Sequence, residues 1–166
     1  MANAAKTVGT RVACQEAAAG ARTGLLDQSS LQRLIGYNLR RAEVQMRGKV
    51  AQVLGEYEIR AVEFSILSLI ANNREVTQKD LGEALSVKRP NMVSLIERLE
   101  TRGLLVRQVL VRDRRNQGLS PTPAGRDLLR RLDTRLEALE GEFFSAWTAR
   151  EREQLVEMLR RIHAGT

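Results

Sequence analysis

Apolar residues recur at helical spacing along most of the chain, and the spacing shortens to a strand-like run only between residues 104 and 111. A long helix is predicted from a cap at Ser29 or Ser30 to about Leu54. Its stripe is Leu31, Leu34, Ile35, Ala42, Met46, Val50 and Val53, interrupted by Arg40, Arg41, Arg47 and Lys49 and closed by Gly55. A second helix over 60–72 turns Phe64, Leu67 and Ile70 inward. Thr77 then caps a short helix, with Asp80 placed for the reciprocal contact of a capping box. Leu81, Ala84 and Leu85 are its apolar face, and Ser86-Val87 break it. The next helix has Pro90 in its first turn, Met92, Leu95, Ile96 and Leu99 inward, and Gly103 just past its end. Leu104 to Val111 reads as a strand, Arg112 to Asn116 as a charged tip, and Gln117 to Ser120 as the returning strand. Thr122-Pro123 opens another long helix, to about Trp147, with Leu128, Leu129, Leu132, Leu136, Leu139 and Phe143 on one face. Thr148 and Glu151 cap a last helix carrying Leu155, Met158, Leu159 and Ile162.

Two short helices joined by a tight turn, then a hairpin, describe a winged helix-turn-helix. The outward face of the second helix is Lys88, Arg89, Asn91, Ser94 and Arg98. Arginine and lysine suit guanine edges or phosphates, and asparagine suits adenine. Charge sharpens the picture. From Lys88 to Arg115 there are eight basic residues against three acidic, an excess of five within a chain whose net charge is +7. Such a concentration on one module is the footprint of a DNA binder. The expected DNA-contacting residues are Thr77, Gln78, Lys88, Arg89, Pro90, Asn91, Ser94 and Arg98, with Arg112, Asp113, Arg114 and Arg115 at the wing tip. Charge alone would favour a solvated helix face and a charged turn; charge with the helix-turn-helix pattern and the wing reverses that reading, toward DNA.

Composition narrows the alternatives. The 166 residues suit one domain, 28–166, behind an alanine-rich tail over 1–27. A pI near 10.4 favours an anionic partner. The single cysteine, Cys14, excludes a disulfide framework and fits a reducing cytoplasm. No apolar run approaches the roughly 20 residues of a membrane span. One histidine, His163, and one distant cysteine offer no metal cluster and no centrally placed base for a nucleophile, so neither an enzyme nor a metal or other cofactor is expected.

The stretch LGEALSVKRPNMVSLIERLETRGLLVR, followed by DRRNQGLSPTPAG, resembles the MarR family of bacterial transcription regulators. Asp113, Arg115, Leu119 and Thr122 match parts of the family's wing signature, while Pro121 stands where the family usually has an apolar strand residue. The resemblance runs from Leu31 to about Ile162. It implies a mainly α fold: a winged helix-turn-helix (57–122) with a two-stranded β wing, flanked by long dimerisation helices (28–55 and 123–164). It further implies a homodimer on a palindromic operator in double-stranded DNA, acting as a repressor. Relatives hold small aromatic anions in a crevice beside the reading head, and here Tyr37, Arg40, Arg41 and Phe64 are placed to line one, suiting an aromatic or phenolic acid or its CoA thioester. Equally open is that Phe64 is core and the two arginines are surface or dimer contacts. The competing functions are an effector-independent or architectural DNA binder, and a redox-sensing regulator using Cys14.

Overall fold

A computed structural model describes residues 26–109 and 117–164. The chain divides into two compact units, Met1–Ala42 and Glu43–Thr166. Cys14 and the wing-tip residues Arg112, Asp113, Arg114 and Arg115 lie outside the described residues.

In the first unit the expected single long helix is broken. Helix α1 spans Ser29–Gln32, and α2 (Ile35–Gly55) starts only after Arg33 and Leu34. Gln28, not a serine, occupies the cap position, and the Ser29 N–H donates to Asp27 Oδ1 at 2.9 Å. Asn38 explains how the break is tolerated. Its Nδ2 donates to the Gln32 carbonyl (2.7 Å), an acceptor at the break in the helical ladder, and to the Leu34 carbonyl (2.9 Å), which also accepts the Asn38 backbone N–H at 3.2 Å.

The second unit holds the rest of α2, from Glu43, and then α3 (Ala61–Asn72), β1 (Val76–Thr77), α4 (Gln78–Ala84), α5 (Arg89–Thr101), β2 (Leu105–Val109), β3 (Gln117–Pro121), α6 (Pro123–Phe143) and α7 (Ala149–Ala164). Both expected capping boxes form. Thr77 N–H and Oγ1–H donate to Asp80 Oδ2 at 2.8 and 2.7 Å, and Asp80 N–H donates back to Thr77 Oγ1 at 3.3 Å. Thr148 and Glu151 repeat the arrangement at α7. Gly103 has a φ of +67°, the left-handed turn that ends α5. Ser86, at the break between α4 and α5, takes a φ of +53°.

The wing strands pair antiparallel from Leu105↔Pro121 to Val109↔Gln117. Pro121 therefore extends β3 instead of shortening it, at the strand's last position, where its missing N–H is tolerated. The wing hairpin is β2 and β3, and its sheet gains a third strand: β1 pairs with β3 through Val76↔Leu119 and Thr77↔Gly118, giving the order β1-β3-β2. Helix α6 stops at Phe143, short of Trp147. Phe143, Phe144 and Trp147 meet edge-on there, with ring centroids 4.9 and 5.5 Å apart.

The core is aliphatic. Leu54, Ile66, Leu67, Leu81, Met92, Ile96, Leu99, Leu105, Leu119 and Leu132 are almost fully buried, and they knit α2, α3, α4, α5, α6 and the sheet together. Helix α7 is different. None of its described residues is buried, and Val156, Met158, Leu159 and Ile162 remain 40–60% exposed. No described helix is long and apolar enough to cross a membrane.

Candidate nucleic-acid interface

Helix α5 is anchored by Met92, Ile96 and Leu99, all at 0% exposure. With that face fixed, Lys88, Arg89, Pro90, Asn91 and Ser94 are exposed together on the other side. Pro90 is the second helical residue, where its lack of an N–H leaves no ladder bond unmade. Leu95, expected inward, is only half-buried; it lines an open cleft with Asn91 and Ser94.

At the start of α4, Thr77 and Gln78 are half-buried. The Thr77 hydroxyl proton is donated to Asp80, so this oxygen reaches a ligand only as an acceptor. The capping box also holds the Asp80 carboxyl below the ordinary aspartate range, through the Thr77 side chain first and its backbone N–H second.

Arg98 departs from the expected outward placement. Its Nε lies 3.1 Å from Oε1 of Glu63, a carboxylate at 0% side-chain exposure, and its Nη2 donates to the Glu58 carbonyl at 3.3 Å. The Nε–H is not aimed along a good hydrogen bond, so the contact with Oε1 is an ion pair by distance only. Glu63 Oε2 accepts the Arg60 N–H at 2.8 Å, which caps α3. Arg102 donates to Glu58 O (2.6 Å) and Tyr57 O (3.0 Å). Arg107 on β2 donates through Nε to both oxygens of Glu100. Three of the eight basic residues counted in this module thus serve the protein's own structure, while Lys88 and Arg89 stand exposed at the start of α5.

The residues expected to line an effector crevice fall in both units. Tyr37, Arg40 and Arg41 share the first part of α2. Tyr37 is half-buried and its hydroxyl donates to Gln28 Oε1 at 2.6 Å; both arginines are exposed. Phe64, on α3 in the second unit, is half-buried against the aliphatic core. Sequence reasoning missed Arg60, Glu63 and Arg102. Among the described residues no group of three histidine, cysteine, aspartate or glutamate side chains could hold a metal ion.

A sequence model described as MarR family matches residues 58–116. A protein of Thauera aromatica, named as the candidate transcriptional regulatory protein for the hcr operon, is 29% identical over 130 residues, 78% of each chain. Among solved structures, the transcriptional repressor CouR bound to a 23-mer DNA duplex is 30% identical. The match covers 84% of this chain and 99% of that one, with a TM-score of 0.75. CouR from Rhodococcus jostii RHA1 bound to p-coumaroyl-CoA is 29% identical over 83% of this chain and 97% of that one, again with a TM-score of 0.75. The helix-turn-helix, the capped helices and the wing agree with these matches, and the chain belongs to the MarR family of transcriptional regulators.

Proposed function

We propose that the protein is a homodimeric cytoplasmic repressor that binds a palindromic operator in double-stranded DNA through α5 and is released by the CoA thioester of an aromatic or phenolic acid. The observation that carries the DNA reading is the division of α5: three fully buried residues hold one face, and Lys88, Arg89, Asn91 and Ser94 are exposed on the other. A helix held this way presents base-reading side chains to a major groove without rearrangement. Residues 57–122 form the reading head. Residues 28–55 and 123–164 supply the dimer contacts, since Val156, Met158, Leu159 and Ile162 expose an apolar stripe that a second copy would cover. Two heads then meet half-sites about 34–36 Å apart, or a multiple of that. The regulator carries out no chemistry of its own.

The effector reading rests on Tyr37, Arg40 and Arg41, an aromatic ring and two cations about one turn further along α2. It is supported by a relative, CouR, that is bound to p-coumaroyl-CoA. The test is a thermal-shift series with p-coumaroyl-CoA and other aromatic acyl-CoA thioesters, the free acids, and CoA alone, paired with release of a bound duplex. A ligand at a hundred times its Kd stabilises by about 2.7 kcal/mol. Stabilisation together with duplex release by a thioester is the expected result. No shift with any of these compounds would remove the effector and leave a constitutive DNA binder.

A further inference from the structure

The turn after α2 is tied to the recognition helix in an unusual way. Glu58 takes a φ of +55°, in the left-handed region that residues other than glycine rarely adopt. Its carbonyl accepts from Nη1 of Arg102, the C-cap of α5, at 2.6 Å and from Nη2 of Arg98, on α5, at 3.3 Å. Arg98 also faces Glu63 Oε1 at 3.1 Å. A carboxylate with no access to water needs a cation beside it, and Arg98 is that cation. Two sides of the guanidinium are therefore held from within. The side chain is nevertheless 39% exposed, and it lines an open cleft of about 620 Å³ between α3 and α5. Arg60, the N-cap of α3, lines the same cleft, with Asn91 and Ser94 from α5 and the apolar Val62, Val87 and Leu95.

A guanidinium has five N–H donors, so Arg98 can serve Glu63 and Glu58 and still present donors to the cleft. Two guanidinium groups and two polar side chains around an open space suit a tetrahedral oxyanion. Asn91, Ser94 and Arg98 continue the exposed stripe of α5, whereas Arg60 sits to one side at the N-cap of α3. A group bound between them would lie at the rim of the groove that α5 enters, where the sugar–phosphate backbone runs. We propose that this cleft seats one backbone phosphate of the bound duplex between Arg60 and Arg98, and that Glu63 is the positioning residue for Arg98. The inference rests on the DNA-binding reading above. Glu63 acts by holding a long side chain in its binding conformation beforehand, so that less rotamer freedom is lost when the phosphate arrives.

Three variants test this by fluorescence anisotropy against two duplexes, one selected from a random pool and one unrelated, over a range of salt. Arg60→Ala removes an exposed cation. Glu63→Gln keeps an acceptor for the Arg60 N–H, removes the charge and turns an NH2 donor toward Arg98. Glu63→Gln/Arg98→Gln removes the pair without stranding a buried carboxylate, which Arg98→Ala alone would do. Arg60→Ala and the double variant should each bind both duplexes about tenfold more weakly and lower the slope of log Kobs against log salt by about one. Glu63→Gln should also weaken binding several-fold, although loss of a negative charge by itself would tighten it. Melting temperatures are read alongside; a purely structural Glu63 would change the melting temperature and leave affinity well below it unaltered. That result, or an unchanged salt slope in Arg60→Ala, would overturn the phosphate seat while wild-type binding upholds the DNA reading. A wild type that binds neither duplex would overturn both.

Discussion

Gly125 is the third residue of α6, and an added methyl there has nowhere to go. A Cβ at this position would lie 2.0 Å from the Leu104 carbonyl oxygen and 3.1 Å from its carbon. Ordinary carbon–oxygen contacts are about 3.3 Å or more, so α6 and the start of the wing would have to part by roughly 1.3 Å. Both sides of that contact are backbone. The same junction holds the Thr122 N–H to Leu104 O at 3.1 Å and the Thr122 hydroxyl to Gly103 O at 2.6 Å. Separation would stretch both bonds. Overpacking strain of about 2 kcal/mol and two hydrogen bonds of about 1 kcal/mol each are set against a helix-propensity gain of about 1 kcal/mol. Gly125→Ala should therefore destabilise the protein by about 3 kcal/mol. Gly141→Ala, in the same helix, is the control: a Cβ there meets nothing within 4 Å. It should stabilise by about 0.5–1 kcal/mol through propensity alone. Urea denaturation at a fixed protomer concentration measures both, as shifts in midpoint at constant slope. The argument fails if Gly125→Ala matches wild type, or if the two variants shift the midpoint in the same direction.

Three further outcomes are expected. Arg89→Ala and Asn91→Ala should each weaken operator binding by about 1–3 kcal/mol and relax base preference; identical affinity and selectivity to wild type at fixed salt would remove α5 as the reading element. Leu159→Glu, on the exposed stripe of α7, should yield monomer or unfolded protein without operator binding; sedimentation showing a monomeric wild type at micromolar concentration would refute this. Asp80 titrates below the ordinary aspartate range because Thr77 holds its ionised form. A depressed carboxylate contributes stability above its unfolded pKa, about 3.9, and loses it as pH falls through the lower folded value. Thr77→Ala should thus cost about 1 kcal/mol at neutral pH, and the gap from wild type should narrow below about pH 4. A gap independent of pH would show that the carboxylate is not part of the cap.

What was legible in the chain was local. Thr77 with Asp80, Thr148 with Glu151, Gly103 and Thr122-Pro123 each announce a helix end within four residues, and each end forms there. The helical spacing of Met92, Ile96 and Leu99 marked the buried face of α5, though not that Leu95 on the same stripe would stay half-exposed. Partnerships between distant residues were not legible. Arg98 belongs by periodicity to the outward face, and nothing near it in sequence shows that a glutamate on α3 claims it. Glu63 itself reads as an ordinary acidic residue in a first helical turn. Strand β1 is two residues long, too short for any period to register, and its pairing depends on where β3 comes to lie. The α1–α2 break is local in cause, yet the residue that permits it, Asn38, reads only as a polar residue inside a helix.

These distant contacts also bear on how an effector signal would travel. Arg98 and Arg102 fasten α5 to the carbonyls of Tyr57 and Glu58, and those residues close the turn directly after α2. Arg107 fastens β2 to Glu100 in the same last turn of that helix. The reading helix, the wing strand and the end of α2 are therefore joined by charge-assisted bonds as well as by the aliphatic core. A body held in this way resists internal reshaping, because separating any pair leaves a carboxylate or carbonyl without its cation. A ligand bound along α2 would then carry the head as a unit and change the spacing between the two heads of a dimer, leaving the shape of each head as it was. DNA release would come from a lost match to half-site spacing, and the surface of α5 would remain competent to read a single half-site.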